Sequence, residues 1–277
     1  MNTTEHIPYI RNGKKWYFLS IFYAREKWRE LISDITHFYK KRQSIFETYL
    51  ISFSNEKGEH LEVTFVTAES DNDNYSDEIQ KYFQCYLSQN PSVSNQSFPY
   101  GKVIWCNYSN NSLTWDRFKL PYYSDRYIHF HLITMELFFQ QIEDDFSVDA
   151  FLSVGIYLIT KGLFCIDYNE QKKILSRFFY AILNSITKDH KIDDWIKKQI
   201  NKFDVDKVCD AIESYKNENL NEYTKEQLNW MNEVKYFLKN HNYELLFFLI
   251  CQIIGLTKLH QIIILGLIDI YFDSSKY

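Results

Sequence analysis

Two positions carry side chains suited to stabilising negative charge and moving a proton. Arg126 lies in the polar and aromatic run 122–127, and a guanidinium stays charged and binds carboxylates through two hydrogen bonds. His260 lies in a late apolar stretch, and an imidazole exchanges its proton near neutral pH. Both have structural interpretations: Arg126 as an ion pair with Asp125 or Glu136, and His260 as a satisfied core histidine. These residue types favour acid–base chemistry without fixing a reaction.

A second group of polar side chains lies in the strand-like segment 60–67. Thr64 offers a hydroxyl that donates a hydrogen bond but carries no charge, and Glu62 is a carboxylate that repels an anionic group. His60 is equally typical of a packed or edge residue of a strand. By itself this segment is typical of a strand that carries polar side chains.

The elements that position these side chains change character along the chain, because all four prolines lie in its first 121 residues. The first half predicts a ferredoxin-like split-βαβ order: strand 15–23, helix 24–41, strands 45–53 and 60–67, helix 78–87 and strand 100–108. The second half has helical periodicity: 128–142, 148–160, 170–186, 191–202, 206–215, 225–239 and 243–270, the last breaking near Gly255. The sequence thus predicts an α+β fold, with an α/β half (1–121) and a helical half (122–277) in one integrated domain.

Composition disfavours several functional classes. The net charge is −5, so the basic excess of a nucleic-acid binder is missing. The five cysteines show no CxxC spacing, and His129 and His131 do not face one another on a helix, so we expect no metal and no cofactor. Seven glycines form no phosphate loop. Without a signal-like start or a long apolar span, the sequence predicts a cytoplasmic protein with no membrane segment.

A set of motifs follows the order found in one family: Trp16-Tyr17-Phe18, Tyr49-Leu50-Ile51-Ser52-Phe53, His60-Leu61-Glu62-Val63-Thr64-Phe65, Asp125-Arg126-Tyr127, Met135-Glu136-Leu137-Phe138, Asp144-Asp145-Phe146-Ser147 and Leu259-His260-Gln261. In this order and spacing the chain resembles the elimination domain of class I lanthipeptide dehydratases, of the thiopeptide-type bacteriocin biosynthesis family. The resemblance spans nearly the whole chain. It departs from the family where arginines are usual: Ser52, Glu62 and Thr64 stand there instead.

The resemblance implies that glutamate is eliminated from glutamylated Ser or Thr of a ribosomal precursor peptide, leaving a dehydroamino acid. A separate glutamylating protein that uses glutamyl-tRNA would be its partner. Arg126 would hold the glutamyl carboxylate or the enolate, His260 would act as acid or base, and Thr64 would help glutamate leave. The substrate-binding residues implied are His60, Glu62, Tyr122 and Tyr127.

Two other functions stay open. Pyridine-forming synthases of thiopeptide pathways are similar to this domain and also lack its arginines; they join two dehydroalanines and expel the leader peptide. Alternatively, the chain has lost the chemistry and serves as a peptide-binding subunit of a synthetase complex. The sequence leaves the oligomeric state open, a homodimer included.

Overall fold

The computed structural model describes residues 6–55, 58–71, 73–93, 108–115, 124–186, 191–219, 221, 223–240 and 243–274. The chain divides into two compact units, Met1–Leu132 and Ile133–Tyr277. An antiparallel sheet lies in the first half and helices dominate the second, so the predicted α+β class is confirmed.

The described residues of the first unit form a sheet of five strands: β1 (Tyr9–Arg11), β2 (Lys14–Phe22), β3 (Thr48–Ser54), β4 (His60–Ala68) and β5 (Ser112–Trp115). Strand β2 pairs with β4, which pairs with β3, and β5 lies on the other side of β2. The order β5-β2-β4-β3, antiparallel throughout, is that of the predicted split-βαβ arrangement. The short β1 shares the β5 side of β2 and joins β2 through a tight turn at Asn12 and Gly13, both with positive φ.

The fourth strand of this arrangement differs in position from the prediction. We predicted it over 100–108, but residues 100–107 lie outside the described residues and Tyr108 is not in a strand. The observed strand is Ser112–Trp115, paired with Leu19–Phe22 of β2. Only four residues long and beginning after Asn111, it has too little apolar alternation to be found from sequence.

Two helices cover one face of this sheet: α1 (Trp28–Lys40) and α2 (Ser76–Gln89). Phe38 of α1 lies 5.2 Å, ring to ring, from both Phe65 of β4 and Phe83 of α2. These three rings are fully buried and join helix to helix and helices to sheet. Aromatic packing thus contributes to holding the helix layer on the sheet.

The second unit contains the helices that follow, and α3 starts in the first unit: α3 (Asp125–Ile142), α4 (Val148–Phe164), α5 (Tyr168–Ile186), α6 (Lys191–Ile200), α7 (Val205–Asn217), α8 (Lys225–Asn240), α9 (Tyr243–Ile253) and α10 (Lys258–Ser274). The predicted break near Gly255 is confirmed. Gly255 has a φ of +68° and Leu256 N donates to Cys251 O at 2.8 Å, which ends α9 in a Schellman-type cap. Among the described residues, no helix combines the length and apolar character that crossing a bilayer requires.

Candidate functional site

Besides the aromatic residues Trp16, Phe18 and Phe22, the second face of the sheet carries a group of polar residues. Side chains alternate along a strand, so Phe65 faces the helices while His60, Glu62 and Thr64 all face the other way. The backbone thus presents three sequence-predicted site residues on one surface.

Register extends this surface across the sheet. Glu62 lies directly opposite Ser20 of β2 and Ser52 of β3, and Ser20 lies opposite Thr114 of β5. Opposed residues of antiparallel strands share a face, so these four form a line across four strands, here named the polar row. Ser20 is fully buried and the Ser52 residue is 7% exposed, so the row lies mostly away from solvent.

Thr64 lies beside the polar row but in different surroundings. Its direct neighbours across the sheet are Phe18 on β2 and Leu50 on β3. Thr64 is 4% exposed, and both neighbours are also buried. The structure therefore places its hydroxyl between apolar side chains.

His60 is held by backbone and aromatic contacts. Its Nδ1 lies 2.8 Å from the carbonyl oxygen of Gly58, and its ring centroid lies 4.5 Å from that of Phe22. Nε2 lies 3.7 Å from Oε1 of Glu62, whose side chain is 20% exposed. His60 is buried on β4 beside the middle of the polar row, with Glu62 as its acidic neighbour.

The first turn of α3 separates the predicted residues Arg126 and Tyr127. Arg126 is exposed, whereas Tyr127 is buried with its hydroxyl 3.4 Å from Nδ1 of His131. His131 donates from Nε2 to the carbonyl oxygen of Ile51 at 2.7 Å. Ile51 belongs to β3, the last strand in the order of the described sheet. Complete burial lowers the pKa of His131 to about 4, outweighing the hydrogen bond that raises it. Tyr122 lies outside the described residues.

His260 belongs to the second unit, in the first turn of α10. It is partly buried, and its backbone N–H donates to Oγ1 of Thr257 at 3.2 Å. Thr257 therefore caps the helix and fixes the position from which the imidazole projects.

Charge distinguishes the polar row from an anion-binding site. Ser52, Glu62 and Thr64 stand where the resemblance implies arginines, so the described positions offer one carboxylate and two hydroxyls instead of three guanidinium groups. Among the described residues, no cluster of three or more His, Cys, Asp or Glu side chains has the geometry of a metal site. Proton transfer and hydrogen bonding are the chemistry that this face can supply.

The polar row is the feature that sequence reasoning missed. Ser20 and Thr114 belong to no recognisable motif, and they meet Glu62 only through strand register. The available signal was the position of Ser20 within an otherwise apolar strand.

The fold is similar to that of two solved structures. The pyridine synthase TbtD from thiomuracin biosynthesis has a TM-score of 0.62 and 12% identity, covering 93% of this chain and 99% of that one. TsrL has a TM-score of 0.63 and 10% identity, covering 94% of this chain and 95% of that one. No protein-family model and no curated protein matches the chain. At these identities the likeness is one of fold.

Proposed function

We propose that this chain modifies a ribosomal precursor peptide in a thiopeptide-type pathway, joining two dehydroalanines into a pyridine ring. The observation that carries this proposal is Glu62, a carboxylate in the middle of the polar row, flanked by Ser20 and Ser52. The similarity in fold to the pyridine synthase TbtD supports the same choice.

Electrostatics separates this reaction from glutamate elimination. A departing glutamate carries a carboxylate, and two like charges about 4 Å apart repel by roughly 4 kcal/mol at an effective dielectric constant of about 20. A barrier raised by that amount slows a reaction about 1,000-fold. Thr64 and Ser52 provide no positive charge to offset Glu62. A glutamate leaving beside this row would therefore meet a carboxylate and two hydroxyls where the resemblance implies arginines.

Pyridine formation makes different demands. The ring closes from two dehydroalanines and one amide, and it becomes aromatic by losing water and the leader peptide as a carboxamide. Both leaving groups are neutral, so no guanidinium is needed to receive them. Each departure instead requires proton transfer, which a histidine, a carboxylate and hydroxyls supply.

Glutamate elimination is the second candidate, and Arg126 is the observation that favours it. The residue is exposed in the first turn of α3, where the helix dipole adds to its positive charge in attracting a carboxylate. In that case His260 would move the proton, and a glutamylating protein that uses glutamyl-tRNA would supply the substrate.

Two synthetic leader-bearing peptides separate these functions. One carries two dehydroalanines in its core and the other carries a glutamylated serine; both are incubated with purified protein and analysed by mass spectrometry. We expect the first to lose water and its leader, and the second to stay unchanged. Loss of glutamate from the second peptide alone would establish elimination instead. If neither changes while both bind, the chain is a peptide-binding subunit.

A further inference from the structure

We propose that a cleft between α1 and α2 is a second binding site, which takes a cationic side chain, an arginine or a lysine, of the precursor peptide. The cleft lies on the solvent-facing side of these helices, and the polar row lies on the other face of the sheet. The site for a cation follows from residues of the first unit alone. Its assignment to the precursor peptide rests on the proposed function.

Two helices form the walls of this cleft. The α1 wall includes Arg29, Glu30 and Asp34, and the α2 wall consists of Tyr86 and Asn90. The cleft has a volume of about 650 Å³, within the range of roughly 300–1,000 Å³ that is usual for ligand sites. It is open to solvent on one side, so a side chain of a bound peptide can enter it.

Asp34 brings an unused acceptor to the cleft. Its Oδ1 accepts a hydrogen bond from the Tyr82 hydroxyl at 3.0 Å. Its Oδ2 is shielded from solvent and has no hydrogen-bond partner among the residues that the structure describes. A desolvated carboxylate oxygen without a donor is unfavourable, so a ligand that supplies a charged N–H group gains binding energy here.

The protonation of Asp34 reflects the same desolvation. Burial raises the pKa of its carboxyl group and outweighs the Tyr82 hydrogen bond, which lowers that pKa. His37 and Lys41 also lower it, through their charges. A cation bound beside the carboxylate would favour the ionised form in the same way and offset the cost of burial.

The charges that line the cleft favour a cation. Arg29 brings one positive charge, and Glu30 and Asp34 bring two negative ones. The lining therefore has a formal net charge of −1 with His37 neutral. Oε1 of Glu30 lies 2.9 Å from Nζ of Lys27, which balances that carboxylate. Asp34 is thus the acid of the lining whose charge a ligand is best placed to balance.

The aromatic wall suits an organic cation. Tyr86 lines the cleft and is half-buried, and it shares one face of α2 with Tyr82, four residues before it. The face of a tyrosine ring attracts a guanidinium or an ammonium group, and the methylene chain behind that group packs on apolar surface. A metal ion, in contrast, prefers several oxygen ligands. One carboxylate beside a tyrosine therefore matches the side chain of arginine or lysine.

Nuclear magnetic resonance tests the cation site without the precursor peptide. Protein labelled at aspartate ¹³Cγ and tyrosine ¹³Cζ is titrated at constant pH with N-acetyl-arginine amide, and with N-acetyl-citrulline amide, which has nearly the same shape but no charge. We expect saturable changes in the Asp34 and Tyr86 signals with the arginine compound. The citrulline compound should bind about 10-fold more weakly, because it lacks the charge-assisted hydrogen bond.

The Asp34→Asn variant assigns this binding to the cleft. Its amide oxygen can still accept from Tyr82, so the fold should be kept, and the arginine compound should bind about 10-fold more weakly. Asp77→Asn, at an exposed carboxylate in the first turn of α2, is the matched control with wild-type affinity. No binding of the arginine compound to wild type, or equal binding to wild type and Asp34→Asn, would overturn the cation site.

Turnover of the peptide with two dehydroalanines tests the assignment to the precursor. We expect Asp34→Asn to raise KM about 10-fold rather than to lower kcat, because the cleft lies away from the polar row. The difference should disappear with a peptide whose leader arginines and lysines are replaced by citrulline. An unchanged KM overturns the assignment while the proposed function stands. An inactive wild type refutes the proposed function, and the affinities of wild type and Asp34→Asn for the peptide then decide the assignment.

Discussion

Acidification should destabilise the first unit through one buried histidine. His131 is completely enclosed, donates to the carbonyl oxygen of Ile51 at 2.7 Å, and has a pKa lowered by burial to about 4. Once the chain unfolds, the imidazole returns to a pKa near 6.5. Because the native state binds this proton less readily than the unfolded state, its stabilising contribution is complete above pH 6.5 and declines as the pH falls toward 4.

The size of this effect follows from the two pKa values of His131. A displacement from 6.5 to about 4 corresponds to roughly 3 kcal/mol, lost in full only below pH 4. At pH 5 the unfolded imidazole is almost fully protonated and the native one largely neutral, so the loss is about 2 kcal/mol. The free energy of unfolding of a domain is roughly 5–15 kcal/mol, so this loss is a large fraction of it.

Native-state hydrogen exchange of the β3 and β4 amides measures this loss in the first unit. It is compared at pH 7.5 and pH 5 for wild type, His131→Gln and His129→Gln. The glutamine amide at position 131 still donates a hydrogen bond but does not titrate, so this variant should lose about 2 kcal/mol less on acidification than wild type. His129 is exposed, and its variant should behave as wild type. Equal pH dependence in wild type and His131→Gln would refute the reasoning.

Two further predictions concern the buried ammonium of Lys161 and the turn at Gly58. The side chain of Lys161 in α4 is 2% exposed and lies 2.5 Å from Oε2 of Glu218, whose side chain is 27% exposed. The Lys161 ammonium also donates to the Tyr223 hydroxyl at 2.6 Å. Glu218→Gln removes the charge that balances the buried ammonium, and we expect it to lower the free energy of unfolding in urea by about 3 kcal/mol. Lys161→Met should cost less, because it leaves a carboxylate that water can reach; the reverse order would contradict this account. Gly58→Ala should lower the free energy of unfolding by about 1–2 kcal/mol, because residues with a side chain rarely adopt the φ of +119° found at Gly58. It should also lower the fraction of His60 that carries hydrogen on Nδ1, measured in ¹⁵N spectra, and an unchanged tautomer would show that the turn does not orient the ring.

The proposed chemistry depends on a carboxylate that lies among hydroxyl side chains. Glu62 as a single residue argues only against glutamate as a leaving group, and the sequence offered no replacement for the absent arginines. The register of four strands shows what is present instead: a polar row whose central Glu62 lies beside the imidazole of His60. Hydroxyls and one carboxylate therefore occupy the positions where the resemblance implies guanidinium groups.

Local patterns in the sequence determined most of the secondary structure. The stripe of Trp28, Leu31, Ile35 and Phe38 specifies α1, because residues three and four apart share one face of a helix. Gly255 marked the break between α9 and α10, because few residues other than glycine adopt positive φ readily. Each of these signals comes from residues that are close together in the sequence, so it can be interpreted without knowledge of the fold.

Only the tertiary structure decided which polar residues meet. Ser20, Glu62 and Ser52 are separated by up to 42 positions, and strand register alone aligns them. Register is set by the summed packing of a whole face, which no local pattern encodes. The same holds for His131, whose hydrogen-bond partner is the Ile51 carbonyl, 80 positions away. The sequence by itself thus determined the elements and the candidate residue types, and long-range pairing determined their neighbours and the lowered pKa of His131.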